Sequence, residues 1–153
     1  VKKADIAIVG GGLAGLTAAI HLAANGLQIC LFEKEKYPHH KVCGEYLSRE
    51  ILPYLQTLNL SLSKLDPVEI NKLIYSTPHG NTINAALPLG GLGISRYALD
   101  NFLFLKAKEM GVEIVNEAVV SVNFKRDKFL ITTLQGNEIT TDLVLGAFGK
   151  RSL

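Results

Sequence analysis

Gly10, Gly12 and Gly15 stand at GxGxxG spacing directly after the apolar run Asp5-Ile-Ala-Ile-Val9. Few structures accept that arrangement. The first glycine permits a tight turn out of a strand, the second lets backbone approach a pyrophosphate, and the third lets the following helix pack close to the strand. The N–H groups at the helix N-terminus, around Leu13 and Ala14, are then left for phosphate oxygens.

Spacing of this kind is weak alone, so the residues that follow have to agree with it. Ala19, Leu22 and Gly26 supply small, apolar and helix-ending positions, and residues 28–32 read as a second apolar strand that delivers Glu33 about twenty residues beyond the turn. A carboxylate there accepts both hydroxyls of an adenosine ribose and repels a 2′-phosphate. The residues therefore point to FAD or NAD, and against NADP, at this position.

A chain of 153 residues supports one good core, and 48% hydrophobic against 20% charged residues excludes disorder. No apolar run approaches the length of a membrane span, and no secretory succession precedes the first strand, so a cytoplasmic address is expected. The net charge of +2, with lysines scattered, argues against a nucleic-acid surface. Cys30 and Cys43 show neither disulfide nor zinc spacing, and His21, His39, His40 and His79 lack the company of metal ligands; no metal is expected.

Periodicity and turn residues organise the rest. A helix is expected over residues 13–24, then a polar stretch, then a short helix capped by Ser48 and running to about Leu58 despite Pro53. Residues 68–76 and 81–87 read as an antiparallel pair around Pro78-His79-Gly80, inserted between Rossmann elements. Gly90, Gly91 and Gly93 lead into a helix over about residues 95–110 with Leu99, Phe102, Leu103, Ala107 and Met110 on its core face. Residues 112–115 form a third parallel strand. Residues 119–124, 129–134 and 138–141 form a three-stranded antiparallel meander, and 143–147 a last strand rejoining the main sheet. The fold class is thus α/β, a Rossmann-like FAD/NAD(P)-binding domain with a parallel central sheet and an antiparallel meander. One domain is expected over residues 1–153, with an antiparallel insertion at about 66–90.

Three blocks carry a resemblance to a family. They are Val9-Gly-Gly-Gly-Leu-Ala-Gly-Leu-Thr-Ala-Ala with Glu33-Lys34, then Lys41-Val-Cys-Gly-Glu-Tyr-Leu-Ser48, then Gly93-Ile-Ser-Arg-Tyr-Ala-Leu-Asp-Asn-Phe-Leu103 ending in Gly111-Val-Glu-Ile. Together they resemble the FAD-binding part of the flavoprotein superfamily that includes para-hydroxybenzoate hydroxylase, flavin-dependent halogenases and geranylgeranyl reductases. The second block is similar to the Lys/Arg-x-Cys-Gly segment of the geranylgeranyl reductase branch.

The resemblance implies FAD as cofactor. It also implies that the segment from Lys41 through Cys43 and Gly44 lies along the cofactor towards the flavin, that Arg96 lies near the pyrophosphate and ribityl chain, and that the Val119 backbone meets adenine. Lys41 and Arg96 would offset phosphate charge, and Gly44 would admit backbone to the ring. Cys43 is either part of the redox site or an inert thiol. The cofactor-binding candidates are Gly10, Gly12, Leu13, Ala14, Gly15, Glu33, Lys34, Lys41, Cys43, Gly44, Arg96 and Val119. No catalytic acid or base is assigned.

The block Asp142-Leu-Val-Leu-Gly-Ala-Phe-Gly-Lys-Arg-Ser152 resembles the family's Gly-Ala-Asp-Gly-x-x-Ser motif, but Phe148 stands where many hydroxylases have aspartate. That departure favours the reductase-like branch over an NADPH-dependent hydroxylase. Family members run well past this motif into a substrate domain, so the chain is expected to be the N-terminal FAD-binding part of a longer oxidoreductase. Such a parent carries hydride or electrons from NAD(P)H or another donor to an apolar or unsaturated small molecule. The alternatives are an FAD-dependent monooxygenase or halogenase and, from another class, a non-catalytic dinucleotide-binding module. Oligomeric state is not legible.

Overall fold

The computed structural model describes residues 2–150, with side chains from Ala4 onward. The chain divides into two units, one of residues 1–39 and 100–153, the other His40–Leu99. Arg151 and Ser152, in the last block of the family motif, lie outside the described residues.

The first unit is built on a six-stranded sheet. Its strands are β1 (Lys2–Val9), β2 (Ile29–Phe32), β6 (Glu113–Val115), β7 (Val119–Lys125), β8 (Lys128–Thr133) and β9 (Glu138–Gly146), in the order β6-β2-β1-β9-β8-β7. β1 pairs in parallel with both β2 and β9, and β2 with β6, whereas β8 pairs antiparallel with β9 and β7. Helix α1 (Leu13–Ala24) supplies the crossover from β1 to β2. Strand alternation splits the apolar residues between two faces. Ala4, Ala7, Cys30, Phe32, Ile131 and Ile139 form one buried cluster, with Val115, Val119 and Val144 against it. Leu16, Ala19 and Ile20 bury one stripe of α1.

The turn between β7 and β8 is tight because Arg126 and Asp127 both take left-handed backbone, with φ of 53° and 58°. That is the geometry of a two-residue hairpin whose twist matches its strands.

The second unit holds a three-stranded antiparallel sheet, β3 (Tyr46–Ser48), β5 (Thr82–Gly93) and β4 (Val68–Ser76), in the order β3-β5-β4. Helix α3 (Arg96–Glu109) starts in this unit and ends in the first. Ser95 caps it, its hydroxyl accepting from the Ala98 N–H at 3.2 Å.

Three sequence expectations need correction. The helix expected from Ser48 to Leu58 is a 3₁₀ turn, Arg49–Ile51, followed by a short helix α2 (Leu52–Thr57). Ser48 caps the turn through the Glu50 N–H, and Pro53 sits in the first turn of α2, where a missing N–H costs nothing. The strand expected to stop at residue 87 runs on to Gly93 because Gly91, Leu92 and Gly93 pair with Ser48, Leu47 and Tyr46; a Cβ on Gly91 would stand 2.2 Å from the Tyr46 ring. The third meander strand and the last strand are one strand, β9, pairing with β8 along one edge and β1 along the other. Thr141 spans the supposed break: its buried hydroxyl lies 2.9 Å from the Asp5 carbonyl oxygen and 3.0 Å from that of Leu143.

Among the described residues no helix is long and apolar enough to cross a membrane.

Candidate functional site

The turn between β1 and α1 is shaped by contacts that exclude side chains. Gly10 takes a φ of 109°, which L side chains rarely adopt, and its N–H donates to the Phe32 carbonyl at 2.8 Å. A Cβ on Gly10 would meet the Ala147 carbonyl oxygen at 2.4 Å, and one on Gly15 would meet the Gly10 carbonyl oxygen at 1.9 Å. The turn is therefore pressed between the end of β9 and the first turn of α1.

α1 begins at Gly12 with no side-chain cap and no acidic residue in its first turn. Its N-terminal N–H groups and the positive end of its dipole are thus not neutralised by this helix's own residues. Such an end suits a phosphate.

Glu33, at the end of β2, is 7% exposed. Its Oε2 accepts the Gly11 N–H at 2.9 Å and its Oε1 the Glu35 N–H at 3.0 Å. Its backbone is fixed as well, since its N–H donates to the Val115 carbonyl at 3.0 Å and its carbonyl accepts from the Asn116 side-chain amide at 2.8 Å. A carboxylate offers about four lone-pair sites, so one such group can serve several donors at once.

Tyr37 completes this arrangement, and sequence reasoning passed over it. Its hydroxyl donates to the Gly11 carbonyl, and its ring stacks on Phe104 at 4.4 Å with 17° between the planes. Burial pushes the Tyr37 phenol above the ordinary tyrosine range, and the carboxylates of Glu33 and Asp100 add to that. That shift favours the protonated, donating form of the hydroxyl. Gly11, the unspecified middle residue of the motif, is a glycine for local reasons: a Cβ there would lie 1.9 Å from the Tyr37 hydroxyl and 2.8 Å from the Glu33 Cβ. The one sequence hint of Tyr37 was its place four residues after the acid.

Of the residues singled out in the sequence, Gly10, Gly12, Leu13, Ala14, Gly15 and Glu33 come together around this turn, and Lys34 follows as an exposed side chain. Val119 opens β7 in the same unit, on the far side of the sheet order from β2. Lys41, Cys43, Gly44 and Arg96 belong to the second unit. There Cys43 is an exposed free thiol whose Sγ accepts from the Glu45 N–H at 3.4 Å, and Gly44 is exposed with open space around it. His40 stacks on Tyr97 at 4.6 Å, beside Lys41 and Arg96 in sequence. No group of three or more potential metal ligands occurs among the described residues.

Residues 5–43 match the family described as FAD dependent oxidoreductase. The probable electron transfer flavoprotein-quinone oxidoreductase of Escherichia coli is 27% identical over 139 residues, which are 88% of this chain and 33% of that protein. A flavin-dependent halogenase of Armillaria mellea is 28% identical over 136 residues, 83% of this chain and 26% of that one. The chain spans about a third of the length of the curated relatives it matches first. In structure it is similar to p-nitrophenol 4-monooxygenase from Pseudomonas putida, with a TM-score of 0.85 at 18% identity, covering 99% of this chain and 42% of that one. The chain has the Rossmann-like fold of FAD-binding flavoproteins, and its strand–turn–helix–strand–acid segment is the part that matches the FAD dependent oxidoreductases.

Proposed function

We propose that residues 1–153 form the FAD-binding domain, with an antiparallel insertion at about 66–90, of an FAD-dependent oxidoreductase most like the geranylgeranyl reductase branch. The observation that carries the cofactor is the Gly11–Glu33 clasp beside an uncapped helix start, a cradle that fits an adenosine ribose and a pyrophosphate side by side. Leu13, Ala14 and Gly15 would hold the phosphates, and Glu33 the ribose. Lys34, Lys41, Cys43, Gly44, Arg96 and Val119 are the further contacts that this reading assigns along the cofactor.

Bound FAD supplies a carrier for a hydride or an electron pair, which the polypeptide itself lacks. The chain's own residues bind it, fix its adenosine end and exclude a 2′-phosphate through the Glu33 charge. The reductase branch is supported by the Lys41-Val-Cys-Gly44 block, by Phe148 in place of the hydroxylase aspartate, and by the quinone named for the Escherichia coli relative. An apolar, unsaturated small molecule is the substrate class this implies, with NAD(P)H or another donor supplying electrons. The likeness to the Armillaria mellea halogenase favours a second reading, oxygen-using flavin chemistry.

Titration of the purified chain with FAD, with NAD in parallel and Glu33→Ala beside it, tests the cofactor. Saturable FAD binding that weakens in the variant supports the proposal; a folded chain that binds neither overturns it. Anaerobic electron transfer from the reduced holoprotein to a soluble quinone supports the reductase reading, and substrate-dependent oxygen consumption with halide or hydroxyl incorporation the other.

A further inference from the structure

We propose that Tyr37 is a positioning residue for the phosphate turn, its hydroxyl aiming the Gly12 N–H at the cofactor's pyrophosphate; this rests on the reading that the turn binds FAD. Gly11 is held through both of its flanking peptide groups. Its N–H is held by the Glu33 carboxylate and its carbonyl by the Tyr37 hydroxyl. The Gly11–Gly12 peptide bond is trans, so the Gly12 N–H points opposite to the Gly11 carbonyl. Fixing that carbonyl on Tyr37 therefore turns the Gly12 N–H outward from Tyr37, at the residue that opens α1.

A glycine-rich turn left alone samples many backbone states, and the loss of that freedom on binding weakens a ligand. Tyr37 removes it in advance. The tyrosine is itself held, since its ring lies on Phe104 and the Phe104 ring carries the Lys108 ammonium 5.5 Å from its centroid. Glu33 alone would leave the Gly11 carbonyl, and with it the Gly12 N–H, free to rotate.

The test compares wild type with Tyr37→Phe, which keeps the stack and removes the hydroxyl, using FAD and ADP as ligands and the Gly12 amide proton, observed with ¹⁵N-glycine, as a local readout. The expected result is about a tenfold weaker Kd for both ligands, with a downfield move of the Gly12 amide on saturation in wild type that is lost in the variant. A merely structural tyrosine would lower stability and affinity but leave the Gly12 shift at saturation intact, which overturns the proposal. Unchanged affinity in the variant also overturns it. If Tyr37→Phe does not fold, Phe104→Leu retains the hydroxyl and loosens its ring, and a smaller loss of the same two signals is expected. Wild type that binds neither FAD nor ADP overturns the functional reading and this inference together, whereas binding unaffected by the substitutions overturns this inference alone.

Discussion

The Gly11 amide and the Glu33 carboxylate meet at 2.9 Å across 22 residues of sequence, so the acid at the end of β2 is part of the turn after β1. Under the proposed reading, this one side chain links the shape of the turn to the recognition of the ribose. Glu33→Ala removes both roles. A buried hydrogen bond to a carboxylate contributes about 1.5–3 kcal/mol, so we expect FAD affinity to fall by at least about tenfold. Flavin fluorescence titration reads the first effect and thermal unfolding the accompanying loss of stability.

Gly15→Ala acts on packing. The added Cβ would meet the Gly10 carbonyl oxygen at 1.9 Å, which forces α1 away from the turn. A cost of about 2 kcal/mol or more is expected, a fall in Tm of roughly 6 °C for a chain of this size. A fall of less than about 2 °C would show that α1 is not held against the turn as described.

Thr141→Val keeps the shape of the side chain and removes the hydroxyl that lies against the Asp5 and Leu143 carbonyls. We expect a loss of about 1 kcal/mol in urea unfolding, with the m-value unchanged. The effect should not depend on FAD concentration once measured well below saturation.

Tyr37 gives the chain an alkaline signature. Its phenol is held protonated in the fold above the ordinary value of 10.0, whereas the unfolded chain titrates there. Below that value both states carry the proton and Tyr37 contributes no pH dependence. Above it the unfolded state binds fewer protons than the native one, so this contribution is lost as pH rises. Urea midpoints between pH 8.5 and 11 should fall more steeply in wild type than in Tyr37→Phe; parallel curves would contradict the buried, proton-donating hydroxyl.

The legible part of the fold was the part written in local pattern. β1, the glycines, α1, β2 and Glu33 follow one another with the period of each element changing at the right residue, so strand, turn and helix could be placed from spacing. The rest depended on partners far away in sequence. Gly90, Gly91 and Gly93 looked like a loop because glycine weakens a strand, yet the Tyr46 ring occupies the space a side chain at Gly91 would need and the strand continues. Asp142 looked like a break because it is polar between apolar runs, but it lies in the middle of β9 with its carboxylate paired to Lys128. Within the site, the clasp of Glu33 was anticipated only as a ribose contact. Tyr37 and Asn116 escaped because a tyrosine on a backbone carbonyl and an amide 83 residues from its acceptor have no sequence signature.

The position of β9 beside β1 sets the order in which this molecule can be assembled. Residue 2 pairs with residue 139 and residue 9 with residue 146, and the same end of β9 backs the glycine turn through Ala147. A chain emerging from its N-terminus therefore carries the glycine motif early but leaves β1 with one unpaired edge until residues 138–146 have been made. Local pairing of β1 with β2 can precede this; closure against β9 is a late, long-range event, slow by its loop entropy. The glycine turn after β1 is thus among the last features of this sheet to become rigid.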